Sequence, residues 1–493
     1  MNSTHKPPLA ETPAYAGTPV IVVLACTGMT VSLMQTLVVP LTPVLPQLFK
    51  TSAANASWVI TATLLVAAVA TPIMGRLGDL FGKKRMLMVC VGFLAASSVV
   101  CAVGDSLITA IIGRGIQGLG IAAIPLGISL LRDVVEPARL GPSVALISSS
   151  LGAGGALGLP IAAFIADNWG WSELFWFATA VSLVCAVSIA VVVPESPQRV
   201  KGSVDFAGVV GLAVLLVSLL LVISKGAAWG WISSRVGGLL ALAAFTAVIW
   251  GRWELRVESP AVDLRSTARK PVLMTNLASV MTGFTMYAMN LLAPQMLMGP
   301  EATGFGAGRS ILAAGLWMAP AGLIMVAMSQ VAARLTQAYG AKMSLLLGIV
   351  IMCVGNVVVQ FTLTTGSPWS VVAFASIVSV GVSFAYASMP TLIMANVPIS
   401  ETAAANGLNS LARSFGTSAA SAVVGAVIGQ MTVAIGGYPF VSTAGVRTAL
   451  AICTVAGVIA ALLTMAIPSR PDAVEGSGSG TGDGSRAEAG ARG

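Results

Sequence analysis

The sequence predicts an all-α integral membrane protein of about fourteen transmembrane helices, built as two six-helix halves with an extra pair of helices between them. Three observations carry this. Of 493 residues, 56% are hydrophobic and 9% charged, with a mean hydropathy of +0.91, which is more apolar surface than a soluble core of this length can cover. Apolar runs of about twenty residues, the length that crosses a hydrocarbon core, recur from Pro19 to Pro468. Finally, the turn Gly75-Arg76-Leu77-Gly78-Asp79-Leu80-Phe81-Gly82-Lys83-Lys84-Arg85 returns, eroded, as Ala333-Arg334-Leu335-Thr336-Gln337-Ala338-Tyr339-Gly340-Ala341-Lys342, 258 positions on (340 − 82). A helix-loop-helix turn used twice implies a duplicated membrane bundle rather than a single pore or an anchored enzyme.

In chain order, the first predicted helix runs 19–47, beginning at Pro19. The second, 56–75, and third, 85–104, are joined by the first copy of the turn. The fourth, 106–131, carries Arg114, and the fifth, 141–166, is rich in Gly and Ala and contains Pro160. The sixth is 173–194. A Leu/Val/Ala-rich hairpin, 206–224 and 235–251, follows, closed by Lys225-Gly226-Ala227-Ala228-Trp229-Gly230-Trp231, whose tryptophans suit a membrane interface. The ninth and tenth, 271–297 and 309–332, precede the second copy of the turn. The eleventh to fourteenth are 343–363, 370–396, 404–434 and 445–467. The predicted divisions are a tail over 1–18, halves over 19–194 and 271–467, the extra pair with its loops over 195–270, and a Gly/Ser-rich tail over 468–493 that cannot bury apolar area and is expected to be disordered.

Lys and Arg are retained on the cytoplasmic side of a membrane. With the amino terminus inside, fourteen basic loop residues, among them Lys83, Arg132, Arg199, Lys201, Arg269 and Lys342, fall inside. Five fall outside: Lys50, Lys225, Arg235, Arg309 and Arg447. Both termini are therefore expected in the cytoplasm. The net charge of +8 reads as topology and contact with anionic lipid headgroups, and argues against a nucleic-acid partner. Cys26, Cys90, Cys101, Cys185, Cys353 and Cys453 lie within apolar runs without CxxC spacing, so no disulfide framework or metal site is expected. The sole histidine is His5, and no phosphate-binding loop is present. Neither a cofactor nor an enzyme is indicated.

Asp79 ends the second helix among Gly75, Gly78 and Gly82, which permit close helix approach and a tight turn. A carboxylate there can accept hydrogen bonds from a neighbouring helix amino terminus and oppose its dipole; the plainer reading is a turn whose basic residues only set orientation. Arg114, about 12 Å into its span at the helical rise, costs about 2.5 to 3.5 kcal/mol in a membrane and is expected to face the bundle interior beside Gln117. Thr275, Thr282, Met286 and Met289 share one face of the ninth helix and, with Gln35, Thr36 and Asn290, are candidates for lining a cavity, since polarizable Met suits loosely defined apolar ligands. Such a stripe is more often packing.

The chain resembles a major facilitator superfamily transporter of the fourteen-helix drug:proton antiporter family over about 19–467. The repeated turn is the most specific mark. Trp58-Val59-Ile60-Thr61, Arg114-Gly115-Ile116-Gln117-Gly118-Leu119-Gly120, Trp169-Gly170-Trp171, Trp253-Glu254 and Gly315-Leu316-Trp317-Met318-Ala319-Pro320 resemble weaker blocks of the family in the right order. The resemblance implies a bacterial cytoplasmic-membrane exporter of small amphiphiles, coupled to protons and acting as a monomer. It makes Gly75, Asp79, Gly82, Lys83, Lys84 and Arg85 a conformational gate, Arg114 and Gln117 the coupling site, and Gly155, Gly158 and Pro160 part of an antiporter-type helix. A symporter of the same fold and a non-transporting membrane sensor are the alternatives. Two departures matter. Met34 stands where the family usually has an acid, and no Asp or Glu lies in the middle third of any predicted span, which leaves Asp79, Asp133 and Asp105 as proton carriers. Gly158-Leu159-Pro160 with Ala162-Ala163 replaces a Gly-Pro and Gly-Gly pattern. An unpaired Arg114 without a buried acid predicts a cavity that favours anionic or neutral ligands over dications.

Overall fold

The computed structural model describes residues 17–468 apart from 39–40, 42–44, 52, 57, 197–204, 258–259, 261 and 436–437. The expected tail disorder, His5, Arg199 and Lys201 lie outside the described residues. Among the described residues, fourteen helices are long and apolar enough to cross a membrane. They are α1 (Thr18–Thr36), α2 (Trp58–Phe81), α3 (Lys83–Val103), α4 (Leu107–Val134), α5 (Pro137–Asn168), α6 (Trp171–Val192) and α7 (Phe206–Trp229). The second seven are α8 (Ser234–Glu254), α9 (Lys270–Met298), α10 (Ile311–Tyr339), α11 (Ala341–Thr362), α12 (Pro368–Asn396), α13 (Thr402–Gln430) and α14 (Thr443–Met465).

Helix starts follow local chemistry. Ser106 and Thr109 form a reciprocal cap at the start of α4, and Asp205, Ser233, Ser310 and Ser442 each accept a backbone N–H of the helix they precede. Several boundaries differ from expectation: the second and tenth helices run on to Phe81 and Tyr339 rather than ending at 75 and 332. The first helix stops at Thr36 rather than at 47; Pro40 has no N–H with which to extend the ladder back to Thr36. The fourth span is two helical segments, Leu107–Gly120 and Ala123–Val134, because Pro125 cannot donate to the Ile121 carbonyl and Gly118 and Gly120 weaken the turn before it. Helix α13 ends at Gln430 rather than at 434, and the chain then forms an antiparallel hairpin, β1 (Thr432–Ile435) against β2 (Tyr438–Val441), with Thr432 opposite Val441. The extra pair runs longer than expected, and a left-handed Gly230 closes its turn.

Packing divides the bundle. Leu24, Leu87, Leu94, Leu126 and Leu130 share one apolar cluster within the first six helices, while Leu292, Leu345, Met352, Phe374 and Met389 share another within the last six. Two long seams join these groups, α2 against α13 and α5 against α10, with α4 also touching α13 and α5 touching α12. Helix α7 lies over the first seam, placing Leu212, Leu216 and Leu220 against Ala68 and Leu411. Helix α8 packs on α7 and has only 11% of its most apolar window buried, so it faces outward, toward lipid.

The turns at Gly82 and Gly340 have matching backbones, with φ of 108° and 86° and ψ of 130° and 155°. Each is a one-residue link between antiparallel helices, a conformation that favours glycine. The lysines that follow also correspond. Lys84 donates to the Ala190 carbonyl at the end of α6 at 3.1 Å, and Lys342, 258 positions on (342 − 84), donates to the Met465 carbonyl at the end of α14 at 2.8 Å. Cations are stabilising at helix carboxyl ends.

Without water or a strong hydrophobic drive between helices in lipid, close crossings depend on small residues. At the α9–α13 crossing, Gly416 lies on the Val280 carbonyl and Gly283 on the Arg413 carbonyl so closely that a Cβ at either would overlap backbone. Gly416→Ala should therefore destabilise the bundle by about 1 to 3 kcal/mol, read as earlier thermal unfolding of the purified protein in detergent. Gly251→Ala, where a Cβ meets nothing within 4 Å, should melt as the parent does; equal melting of both variants would refute the crossing as a tight constraint.

Candidate functional site

The repeated turn builds a charged seam at one end of the bundle. Gly75 brings α2 so near the start of α13 that a Cβ would stand 2.7 Å from the Ala403 carbonyl oxygen. One turn on, the Asp79 carboxylate accepts the Ala404 backbone N–H at 3.2 Å. This satisfies one of the four N–H groups that a helix start leaves unpaired, and opposes the positive end of its dipole. Lys83 is 1% exposed; its Nζ donates to Asp133 Oδ2 at 2.7 Å and stands 3.8 Å from Asp79 Oδ1. Two carboxylates from α2 and α4 thus share one ammonium from α3. Ser196 Oγ donates to Asp133, and Arg132 Nη1 donates to Thr402 Oγ1 at 2.6 Å, a second tie to α13. Glu195 accepts the Lys84 backbone N–H at 3.0 Å and packs over Gly82. Arg85 is exposed.

The second copy of the turn makes a different contact. Gln337, in the position of Asp79, donates to the Ala138 carbonyl in the first turn of α5 at 3.4 Å. An amide there ties α10 to α5 without a charge. The two seams are alike in backbone and unlike in electrostatics.

Arg114 is 2% exposed and, among the described residues, meets no carboxylate. Its Nε donates to the Val59 carbonyl at 3.4 Å and its Nη1 to the Met34 carbonyl at 3.1 Å, while the Gln117 amide oxygen accepts from Nη1. Gln117 Nε2 donates to the same Met34 carbonyl at 3.3 Å. Met34 lies in the last turn of α1, where the helix dipole is negative, so the early end of α1 supplies what an acid would otherwise supply. Arg114 and Gln117 thereby join α1, α2 and α4.

Between the two groups of six lies a small cleft with about 10 Å³ of water-accessible space, enough for about one water. Ile124, Ile128 and Leu151 form its apolar side. Tyr386, Ser148, Asn406, Asn409, Ser410 and Arg413 form the polar side. Arg413 stacks on the Tyr386 ring at 4.5 Å from its centroid, and the Tyr386 hydroxyl donates to Met286 Sδ at 3.3 Å. Asn409 is fixed by donating to Asn276 Oδ1 at 3.0 Å and Ser279 Oγ at 2.8 Å on α9.

A family model described as Major Facilitator Superfamily matches residues 24–421 and, in a second placement, 277–489. The chain belongs to the Major Facilitator Superfamily. The tetracenomycin C resistance and export protein of Streptomyces glaucescens is 25% identical over 434 residues, covering 86% of this chain and 79% of that one. Multidrug resistance protein 3 of Bacillus subtilis is 24% identical over 375 residues, covering 75% and 72%. The human organic anion transporter MFSD10 superposes with a TM-score of 0.64 at 15% identity, over 90% of this chain and 99% of that chain, a likeness of fold. The protein is accordingly a multi-pass membrane transporter of the superfamily, with a small-molecule substrate and a lipid surround, and it is not an enzyme.

Within this superfamily fold, the sequence-predicted residues are brought together only in part. The gate residues Gly75, Asp79, Gly82 and Lys83 meet in one seam. Thr275 and Thr282 are buried and donate to the Pro271 and Ala278 carbonyls of their own helix, Met286 and Met289 are half-buried and accept from Tyr386 and Ser379, and Asn290 is exposed. Thr36 turns its hydroxyl to the Ser32 and Leu33 carbonyls and packs on Gly158, while Gln35 is half-buried. On α5, Gly158 and Pro160 stand at close contacts with α1 and α10; Gly155 does not, and Gly154, against the Met29 carbonyl, does. The site residues that sequence reasoning did not assemble are those of α13. Asn406, Asn409, Ser410, Arg413 and Thr417 recur at steps of three and four along an otherwise small and apolar span, which is the signal of one polar helix face.

Removing one member of a buried ion cluster leaves uncompensated charge. Lys83→Met should cost about 3 to 5 kcal/mol, measured as lost thermal stability of the purified transporter. Lys84→Met, at a half-exposed side chain, should change stability by less than about 1 kcal/mol. Similar losses in the two would show that the ammonium of Lys83 is not what holds the seam.

Proposed function

We propose that this transporter exports small amphiphilic molecules by alternating access, with residues 19–194 and 271–467 rocking as two six-helix halves and 195–270 supplying a flanking pair. The observation that carries the reading is the position of the cleft, enclosed between the two groups of six and closed at one end by Asp79 on the start of α13. Parting α2 and α4 from α13 would open that end, and it requires breaking the Asp79 bond from α2 and the Arg132–Thr402 tie from α4. The names of the relatives, which concern resistance and export, favour outward transport. The basic-residue asymmetry favours a cytoplasmic side for both termini and the Asp79 seam, and the bacterial sources of the relatives favour a bacterial cell membrane.

We assign proton coupling to the Asp79–Asp133 pair. These carboxylates share the Lys83 ammonium, so a proton taken up by either would loosen the seam's charge balance. Asp105 is exposed between α3 and α4 at the other end of the bundle and has no comparable setting. The assembly unit in this reading is a monomer, because both seams lie within one chain.

The test is flux through the full-length protein in sealed liposomes with an imposed pH gradient. Substrate should move against the proton flow, and Asp79→Asn should reduce that flux at least tenfold while leaving insertion and the melting profile in place. Movement with the protons would instead establish a symporter. Absence of gradient-driven flux for every amphiphile tried, with Asp79→Asn indistinguishable from the parent, would favour a non-transporting membrane protein.

A further inference from the structure

Arg413 is the eleventh residue beyond Thr402 in α13, about 16 Å along the helix and so near the centre of a hydrocarbon core about 30 Å thick. Such a residue costs about 2.5 to 3.5 kcal/mol on insertion scales and marks a ligand pathway unless something else accounts for it. Nothing else does among the described residues. The ion pairs found there are those of Lys83 with Asp79 and Asp133, and no carboxylate pairs with Arg413. Its contact is the Tyr386 face, which steadies a cation without neutralising it.

Arg114 differs in this respect. It is enclosed by the Val59 and Met34 carbonyls and Gln117 and does not line the cleft, whereas Arg413 does. Two further groups of the same cleft are buried and, among the described residues, unsatisfied. Ser148 Oγ, in a side chain 2% exposed, has no hydrogen-bond partner, nor has Asn406 Oδ1, in a side chain also 2% exposed. Asn406 is held in place because its Nδ2 donates to the Thr402 carbonyl. Buried polar atoms that the protein leaves unpaired are open to a water or a ligand, and these two stand beside Arg413 in one cleft. The backbone beneath is closely packed as well: Gly283 of α9 seats directly against the Arg413 carbonyl of α13.

We propose that Arg413, Ser148 and Asn406 form a subsite for the anionic head of the substrate, making carboxylate-bearing amphiphiles the preferred class. The proposal rests on the transport reading above and names its substrate chemistry. The guanidinium and the Ser148 hydroxyl donate to the anionic oxygens. Asn406 Oδ1 accepts from a hydroxyl or N–H on the same ligand. Once the halves part and the cleft widens, Ile124, Ile128 and Leu151, which line its apolar side, face the apolar body. A permanent cation in this place faces an unneutralised guanidinium in low dielectric and is rejected.

The experiment is equilibrium binding to the full-length protein in detergent with three matched probes: 2-naphthoate, its neutral isostere 2-naphthamide, and a naphthyl trimethylammonium cation. The parent should bind naphthoate roughly ten- to a hundredfold more tightly than the amide, the range of one charge-assisted contact, and the cation most weakly. Arg413→Gln should erase the preference while changing amide affinity by less than about threefold, and Arg413→Lys, which keeps the charge, should retain a preference. Variants are compared only where their melting matches the parent. Failure of the parent to bind naphthoate in preference to the amide, or survival of the preference in Arg413→Gln, overturns the proposal. Binding needs no transport, so naphthoate selectivity in a protein that moves nothing would uphold the subsite and sink the transport reading. Flux of neutral amphiphiles without naphthoate selectivity would do the reverse.

Discussion

Hydrocarbon offers no solvent to a buried charge, and that constraint organises this molecule from its helix ends to its centre. Each cation placed within the bundle must be met by carboxylates, by carbonyls at a helix end, by an aromatic face or by a ligand. Lys83 takes the first solution, Arg114 the second and Arg413 the third. The three are not equally complete. Lys83 and Arg114 are enclosed by protein oxygens, and each ties three helices together. Arg413 has a ring beneath it and a cleft in front.

Much of this architecture was legible before any coordinates. Length and apolar periodicity place the spans, because a crossing helix needs a run of fixed length, and the repeated turn marks its own glycines, since a one-residue link at positive φ tolerates little else. Boundaries governed by a single proline were harder to read. The early stop of α1 and the interruption of α4 depend on where one missing N–H falls, which no hydropathy window resolves. The stop at Thr36 had functional weight, because it leaves the Met34 carbonyl available to Arg114. The missing acid of the first helix is thereby answered in backbone rather than in side chain.

The site was less legible than the fold for a related reason. Asp79 could be assigned to a helix start from its neighbours, but its partner Ala404 lies 325 residues away (404 − 79), and Asp133 reaches Lys83 only through the packing of α3 on α4. The methionine face of α9 was visible as a pattern, yet pattern alone does not distinguish a wall from a core. Burial of Thr275 and Thr282 gives that stretch to packing, and Met286 enters the cleft's surroundings only through Tyr386. The polar face of α13 was present in the sequence as regular spacing, and became meaningful once four of its members were seen to share one cavity.

The one-residue links at Gly82 and Gly340 carry a consequence for motion. A helix pair joined by so short a strap cannot swivel member against member. With Lys84 fastened to the end of α6 and Lys342 to the end of α14, displacement of α2 or α10 is handed on at once to helices far from either seam. Flexing within a half is thereby suppressed, and whatever force acts on a single carboxylate at the rim is delivered to the whole block as torque.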